Sequence, residues 1–219
     1  MQPGYIGAGG RFVKSAKLIE LLGIVFLALA GIAYAAQRDG RGTETAKAVF
    51  AGGCFWSVEL LFDKVDGVVS TVSGFTGGTK KNPTYDQVVT GATGHAEAVQ
   101  VTFDPAVIPY ETLLRVFFET HDPTTLNQQG YDVGTQYRSA IYYADEAQRE
   151  TAERVRREVD ESGAYKSPVV TELAPLTEFY AAEEYHQDYY NQNEGQPYCQ
   201  VIISPKLRKL YKAFGELTA

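Results

Sequence analysis

The stretch from Val49 to Glu59 constrains the fold and the chemistry of this chain more than any other. Two glycines and Cys54 follow a short β-prone run, and an apolar pattern of helical period begins at Phe55. Cys54 is therefore predicted at a helix N-terminus, where unpaired N–H groups and the helix dipole favour an anion. A thiol at such a position ionises more readily than a free one, and the thiolate is the nucleophile. The pattern favours a reactive cysteine over a buried structural one.

Strand-like and helix-like segments interleave along the rest of the chain without a regular βαβ series. We expect the α+β class: a mixed β-sheet with packed helices, as a two-layer sandwich with a ferredoxin-like core. The polar loop at 122–138 is long enough to be functional. The remaining predicted strands cover 68–75, 95–103, 139–143 and 169–173, and the remaining predicted helices cover a short turn after Pro83, then 110–120, 145–162, 181–191 and 205–218.

Composition limits the class of protein. The chain has 219 residues, of which 44% are hydrophobic, enough for one domain with a sizeable core. The formal net charge is -7 at pH 7, and the sequence lacks a basic stripe. An acidic domain of this kind argues against nucleic acid as a partner.

The N-terminus has its own pattern. Basic residues precede a mostly apolar run from Leu18 to Ala36, which contains the small-x-small triplet Ala33 to Ala35. Together these features resemble a secretory signal peptide, and an uncleaved membrane tether through 18–36 is the alternative. In either case the protein is expected to be exported, either periplasmic or anchored to the membrane and facing the periplasm.

These considerations divide the chain into three parts. Residues 1–35 are predicted to be a signal peptide or membrane anchor, 36–47 a polar linker, and 48–219 a single catalytic domain.

Glu97 is the second candidate for chemistry. By the period of two it shares a strand face with Val99, Val101 and Phe103, which should point into the core. A carboxyl group buried there resists ionisation and can donate a proton at pH 7. A strand-end glutamate facing solvent is the alternative.

Other polar residues carry weaker signals. Tyrosines such as Tyr85 and Tyr137 are more often packing residues, and Asp132 lies in a glycine-flanked turn. The second cysteine, Cys199, is compatible with a structural disulfide or with simple packing. The three histidines lack metal-site spacing, and the sequence contains neither a dinucleotide fingerprint nor a P-loop, so no metal or organic cofactor is expected.

Five motifs occur together and in a specific order. They are Gly53–Trp56, Asn82–Tyr85, Gly94–Glu97, Tyr131–Ser139 and Glu184–Tyr189. In this combination the chain resembles the A-type peptide methionine sulfoxide reductases from about Ala48 to Cys199.

The resemblance implies a mechanism. Cys54 as a thiolate attacks the sulfur of an (S)-methionine sulfoxide, Glu97 protonates the oxygen, and Tyr85 and Tyr137 hydrogen-bond that oxygen. Methionine leaves, and Cys54 becomes a sulfenic acid. Cys199 then condenses with the sulfenic acid to form a disulfide.

The resemblance also implies the surroundings of the reaction. Phe55 and Trp56 hold the S-methyl group in an apolar pocket, and Asp132 orients the substrate or nearby water. The implied substrates are oxidised proteins or peptides and free methionine sulfoxide. A thioredoxin-like thiol reductant would reduce the disulfide of what is expected to be a monomer.

One departure from the family pattern concerns the reductant. Many members have a glycine-rich tail with a further cysteine, whereas Gln200 to Lys206 follows here and no third cysteine exists. The disulfide between Cys54 and Cys199 must then itself be reachable by the reductant. An exported enzyme would need a membrane-linked thiol relay or a thioredoxin-like protein outside the cytoplasm.

Two hypotheses that assign the chain to a different functional class remain open. A papain-like cysteine protease would use Cys54 with His186 and Asn191, but the sequence lacks an oxyanion-hole glutamine shortly before the cysteine. An envelope binding module would carry a permanent, unreactive disulfide between Cys54 and Cys199.

Overall fold

A computed structural model describes residues 44–218 of the chain. The predicted signal peptide or anchor lies outside the described residues. The first strand begins at Ala46, so the last two residues of the predicted linker belong to the sheet. No helix within 44–218 has the length and apolar character needed to cross a membrane.

The strands within residues 44–218 alternate with helices, as predicted. They are β1 (Ala46–Gly52), β2 (Val68–Thr76), β3 (Ala96–Phe103), β4 (Gln128–Gln129), β5 (Asp132–Val133), β6 (Ser139–Tyr143), β7 (Glu172–Pro175) and β8 (Phe179–Ala181).

The α-helices pack around this sheet and at its ends. They are α1 (Phe55–Asp63), α2 (Tyr85–Val88), α3 (Tyr110–Thr120), α4 (Glu146–Glu161), α5 (Tyr189–Asn193) and α6 (Ser204–Phe214). Short 3-10 helices cover Thr135–Tyr137, Glu184–His186 and Gly215–Leu217, and a π-helix covers Cys199–Ile203.

The main sheet has the strand order β7-β6-β1-β3-β2-β8. In chain order β1, α1, β2, β3, α3 and β6 form the β-α-β-β-α-β unit of a ferredoxin-like core. The short helix α2 is inserted between β2 and β3, and the strands β4 and β5 are inserted between α3 and β6. Neighbouring strands are antiparallel except β6 and β7, which are parallel, so the sheet is mixed. The predicted fold class is confirmed. The predicted loop at 122–138 contains the small β4–β5 hairpin and a 3-10 turn.

The helix-covered face of the sheet builds the core that supports the site. Phe50 of β1 stacks on Phe62 of α1 at 5.0 Å and on Phe117 of α3 at 5.2 Å between ring centroids. Val99 of β3, paired with Phe50, lies in the same cluster as Cys54. Stacked aromatic rings thus hold α1 and α3 on the two central strands, and this fixes where α1 begins.

The predicted strand at 169–173 is displaced along the chain. β7 begins three residues later than predicted, and it pairs with the edge of β6. The N–H groups of Val169 and Val170 donate instead to the Asp160 carboxylate and to the Pro123 carbonyl. Because these hydrogen bonds are made to groups outside the sheet, Val169 and Val170 do not pair with β6.

The helix predicted over 181–191 is wrong. The chain first continues beside β2, where the N–H of Ala182 donates to the Ser73 carbonyl. A 3-10 turn follows at Glu184–His186, and Asp188 then takes a left-handed conformation with φ 51°. A left-handed residue interrupts helical hydrogen bonding, so the α-helix, α5, starts only after Asp188.

Candidate active site

Cys54 lies where β1 turns into α1, as predicted. Gly53 has φ +95°, and a Cβ atom there would meet the Gln129 side chain at 2.6 Å, so the turn requires glycine on both counts. Cys54 precedes the first residue of α1, and its carbonyl accepts the N–H of Ser57 at 3.1 Å. Only 6% of the Cys54 surface is exposed. The sulfur therefore sits at a helix N-terminus inside a nearly closed pocket.

Glu97 is buried beside this turn. Its side chain is 1% exposed, and its Oε2 accepts a hydrogen bond from the backbone N–H of Phe55 at 3.0 Å. Burial raises the pKa of Glu97 to about 8, the negative charge of Asp132 adds to the rise, and the Phe55 N–H opposes it. At pH 7 the carboxyl is therefore mostly protonated, as the strand face of Glu97 predicted.

The ionisation of Cys54 differs from the expectation for a helix N-terminus. Burial raises the pKa of the Cys54 thiol well above its ordinary value, and the charge of Glu97 raises it further. The Tyr198 hydroxyl and the Trp56 backbone N–H lower this pKa but do not reverse the rise. The prediction of an easily ionised thiol is therefore wrong, because desolvation outweighs the stabilisation that the first turn of α1 provides.

Aromatic side chains form one wall of the pocket. The indole of Trp56 stacks on Tyr189 with ring centroids 3.6 Å apart and planes 7° apart. Its Nε1–H donates to Nδ1 of His186 at 3.2 Å, and the Phe55 ring lies 5.2 Å from the same imidazole. His186 is buried, and desolvation lowers its pKa, which keeps it a neutral acceptor. Phe55 and Trp56 thus lie where an apolar group next to Cys54 would bind.

Tyr85 and Tyr137 are brought to the same pocket from distant parts of the chain. The Tyr85 ring lies 6.1 Å from the Phe55 ring and 4.1 Å from the His186 ring. Burial raises the pKa of each phenol, and the charge of Glu97 is the next largest cause for both. Both phenols therefore remain protonated donors close to the Glu97 carboxyl.

Asp132 reaches the site through a residue that sequence reasoning missed. The hydroxyl of Tyr198 donates to Oδ2 of Asp132 at 2.7 Å, and it lies near enough to Cys54 to lower the pKa of the thiol. Tyr198 therefore spans the opening between the β4–β5 hairpin and the thiol. The one signal for Tyr198 in the sequence is its position directly before Cys199.

Cys199 is not brought into contact with Cys54. Both cysteines are free thiols. Cys199 is fully buried in a separate cluster with Leu60, Tyr190 and Ile203, at the start of the π-helix. A disulfide between the two cysteines therefore requires the segment around Cys199 to move.

The histidine and acidic side chains of residues 44–218 were considered as a metal centre because three histidines occur in the sequence. Within 44–218 no group of three histidine, cysteine or acidic side chains is placed to hold a metal ion. His95 contacts the Gly78 N–H and the Lys80 carbonyl, and His121 contacts the Phe117 carbonyl and the Ser139 hydroxyl. Each of these imidazoles is thus engaged in the fold.

Comparison with known proteins identifies the family. The family model for peptide methionine sulfoxide reductase matches residues 46–217. The chain belongs to the peptide methionine sulfoxide reductase family. The resemblance drawn from the five motifs is confirmed, and with it an oxidoreductase that reduces methionine sulfoxide.

Individual relatives agree with this assignment. The chain is 52% identical over 171 residues to a peptide methionine sulfoxide reductase of Chromobacterium violaceum, covering 78% of this chain and 97% of the relative. It is 53% identical over 169 residues to one from Saccharolobus solfataricus, covering 77% and 94%. Neither the protease reading nor the binding-module reading finds support among these relatives.

Solved structures of the family share the fold. Methionine sulfoxide reductase A of Corynebacterium diphtheriae superimposes with a TM-score of 0.64 at 39% identity, covering 71% of this chain and 77% of that one. The reduced form of Mxr1 from Saccharomyces cerevisiae gives a TM-score of 0.66 at 32% identity, covering 72% and 91%.

The effect of the Glu97 charge on the pKa of Cys54 can be tested. In a Cys199→Ser background, Glu97→Gln should lower the pH midpoint of Cys54 alkylation by about one unit or more, because a nearby negative charge is removed. The rate of iodoacetamide modification measured against pH gives the midpoint. Glu59→Gln is the matched control, since Glu59 is also a buried carboxyl, on α1, and its charge is not among those acting on Cys54. An unchanged midpoint in Glu97→Gln would show that the carboxyl does not act on the sulfur.

Proposed function

We propose that this chain reduces the S epimer of peptide methionine sulfoxide with Cys54 as nucleophile and Glu97 as proton donor. The observation that carries the proposal is the hydrogen bond from the Phe55 N–H to the Glu97 carboxyl. It holds a mostly protonated acid at the first turn of α1, next to the only thiol that faces the pocket among the described residues. Sulfoxide reduction needs this pairing of a soft nucleophile with an acid that keeps its proton at pH 7.

The first step transfers oxygen from the substrate to Cys54. The sulfur of Cys54 attacks the sulfoxide sulfur while Glu97 donates its proton to the sulfoxide oxygen, and Tyr85 and Tyr137 donate hydrogen bonds to that oxygen. The protonated oxygen then passes to the Cys54 sulfur as the new bond between the two sulfur atoms breaks with its electron pair on the substrate sulfur. Methionine leaves, and Cys54, oxidised by two electrons, becomes a sulfenic acid. A positioned general acid typically contributes a factor of about 10² to 10⁴ to such a step.

The aromatic wall supplies selectivity for the methyl group. Phe55 and Trp56 offer apolar surface beside the sulfur, and the contacts of Trp56 with Tyr189 and His186 fix the indole plane. We assign to Asp132 the orientation of the substrate, which requires that the Tyr198 hydroxyl first leave its carboxylate. A fixed apolar pocket opposite polar donors distinguishes the two epimers, because only one of them can present oxygen to the donors and methyl to the indole.

The second step resets Cys54. The thiol of Cys199 attacks the sulfenic sulfur, a disulfide forms, and the sulfenic oxygen leaves as water. Since Cys199 is buried behind Tyr198, the segment that carries both residues must shift before the sulfur atoms meet. An external dithiol of the thioredoxin type then reduces the disulfide by exchange.

The cellular setting is a separate proposal that depends on the N-terminal pattern. The basic residues and the apolar run at 18–36 support export, either with cleavage near residue 35 or with a retained tether. The enzyme would then repair oxidised proteins outside the cytoplasm as a monomer and draw electrons from a thioredoxin-like reductant there. Recovery of the protein only in the cytoplasmic fraction of its host would contradict this setting.

The test of the function is turnover of separated epimers. The purified full chain with dithiothreitol should reduce an (S)-methionine sulfoxide peptide and leave the R epimer unchanged, with the products resolved by chromatography. Cys54→Ser should be inactive, because the nucleophile is removed. Reduction of the R epimer, or activity in Cys54→Ser, would contradict the mechanism.

The resolving role of Cys199 has its own signature. Without a small thiol, Cys199→Ser should release about one methionine per enzyme molecule and accumulate a sulfenic acid at Cys54, because the next thiol is missing. A sulfenic-acid trap followed by mass spectrometry measures both quantities. Repeated turnover of Cys199→Ser with a protein reductant alone would remove Cys199 from the mechanism.

A further inference from the structure

The segment that carries Cys199 is helical, although the resolving step requires it to move. Residues 197–214 form one continuous helix, in which the π-helix Cys199–Ile203 leads directly into α6. The sequence has no glycine between positions 196 and 214, so glycine does not provide the flexibility that this movement needs. The movement therefore depends on a weak point in the helix itself.

Pro205 creates this weak point. A proline inside a helix lacks the N–H that the carbonyl four residues earlier would accept, and its ring crowds that carbonyl. For Pro205 this is the carbonyl of Val201, which lies in the middle of the π-helix. A π-helix is a wider turn than an α-helix, and its place immediately before the proline relieves the crowding.

The backbone hydrogen bonding at the π-helix is incomplete for the same reason. The N–H of Ser204 donates to the carbonyl of Cys199, five residues earlier. The carbonyl of Gln200 would need a donor at Ser204, whose N–H is already engaged, or at Pro205, which has none. Gln200 is exposed, so water can satisfy its carbonyl. Opening the helix at this point therefore breaks fewer backbone bonds than opening it elsewhere.

Ser204 and Pro205 are also well suited to begin a helix. Serine is a preferred N-cap residue, and proline is favoured at the first helical position, where its missing N–H costs nothing. The sequence accordingly predicts a helix from position 205, whereas the structure extends it back to position 197. When the part before Ser204 leaves the helix, α6 is thus left with a favourable N-terminus.

The two sides of the π-helix are held by different contacts. Leu210 of α6 is fully buried in the main core, which fixes α6 in place. On the other side, the Tyr198 hydroxyl donates to Asp132 at 2.7 Å, and the Cys199 carbonyl accepts the Ser204 hydroxyl at 3.1 Å. Individual hydrogen bonds contribute little net free energy compared with a packed core. The π-helix is therefore the boundary between a part that can move and a part that stays.

We propose that the π-helix Cys199–Ile203 is the hinge of the resolving step and that Pro205 keeps this hinge weak. Opening at the hinge takes the Tyr198 hydroxyl away from Asp132 and frees Cys199 to reach Cys54, while α6 stays in the core. The proposal rests on the resolving role of Cys199. It makes Pro205 a positioning residue, which acts on the sulfur of Cys199 only through the helix.

The experiment measures opening of the hinge without requiring turnover. In a full chain with Cys54→Ser, Cys199 is the only cysteine and is 0% exposed, so its rate of modification by iodoacetamide at a fixed pH reports opening of the segment. Pro205→Ala should lower this rate about tenfold or more, because alanine restores the missing N–H and is a far better helix former. Pro197→Ala is the matched control. Pro197 is the first residue of the same helix, where no N–H is needed, so the rate should remain that of the parent.

The outcomes separate a local hinge from general effects. A rate for Pro205→Ala equal to or above that of the parent overturns the proposal, and so does an equal decrease in Pro197→Ala. The parental rate should depend only weakly on low concentrations of urea, because local opening exposes little surface. A steep dependence would show that Cys199 reacts through global unfolding, which also overturns the hinge. Thermal unfolding checks the fold of each variant, and Pro205→Gln replaces the alanine variant if that one does not fold.

A second measurement distinguishes failure of the hinge from failure of the reductase function. In the chain with both cysteines, Pro205→Ala should release the first methionine from an S-epimer peptide at the parental rate but form the disulfide more slowly. Disulfide formation at the parental rate overturns the hinge and leaves the reductase function intact. No release of methionine by the parent contradicts the reductase function, and with it the resolving step to which the hinge belongs.

Discussion

The hydrogen bond between the Phe55 N–H and the Glu97 carboxyl is the contact on which the rest of the site depends. It joins the start of α1 to the start of β3, through two residues that are 42 positions apart in sequence. The bond is possible only because the glycine turn directs the first N–H groups of α1 at the strand. It also satisfies a donor that a helix N-terminus would otherwise leave unpaired.

Burial keeps the proton on both reacting groups, but this helps catalysis at one group and opposes it at the other. It keeps the proton on Glu97, which catalysis needs, and it also keeps the proton on Cys54, which catalysis must remove. A charged Glu97 would make the thiol still harder to ionise, so a protonated acid helps the nucleophile as well as the leaving oxygen. The two functions of Glu97 are therefore compatible only while it is neutral.

Features set by local periodicity could be predicted from the sequence. The helix Tyr110–Thr120, the burial of Glu97 on the core face of β3 and the place of Cys54 before α1 all follow from spacing along one element. The motifs also supplied Tyr85 and Tyr137, although their convergence on Glu97 is a tertiary result that only the structure displays.

Features set by long-range contacts could not be predicted in this way. The Trp56–His186 hydrogen bond joins residues 130 positions apart, and the Tyr198–Asp132 hydrogen bond joins residues 66 positions apart. Neither contact produces a periodic pattern in the sequence. The raised pKa of Cys54 was missed because a helix N-terminus is visible in sequence, whereas the depth of burial is not. The first part of the helix predicted at 181–191 failed for a related reason. The N–H of Ala182 donates to the Ser73 carbonyl on β2, and the N–H of Asp188 donates to the Glu59 carboxylate on α1.

The separation of the two sulfur atoms has a further consequence for the lifetime of the protein. Cys54 is 6% exposed and protonated beneath Tyr198, and Cys199 is 0% exposed in its own apolar cluster. Peroxide and other small oxidants attack accessible thiolates, and further oxidation of a cysteine beyond the sulfenic acid is generally irreversible. In the described structure the sulfur of Cys54 is thus shielded from such oxidants, because burial both covers it and keeps it protonated.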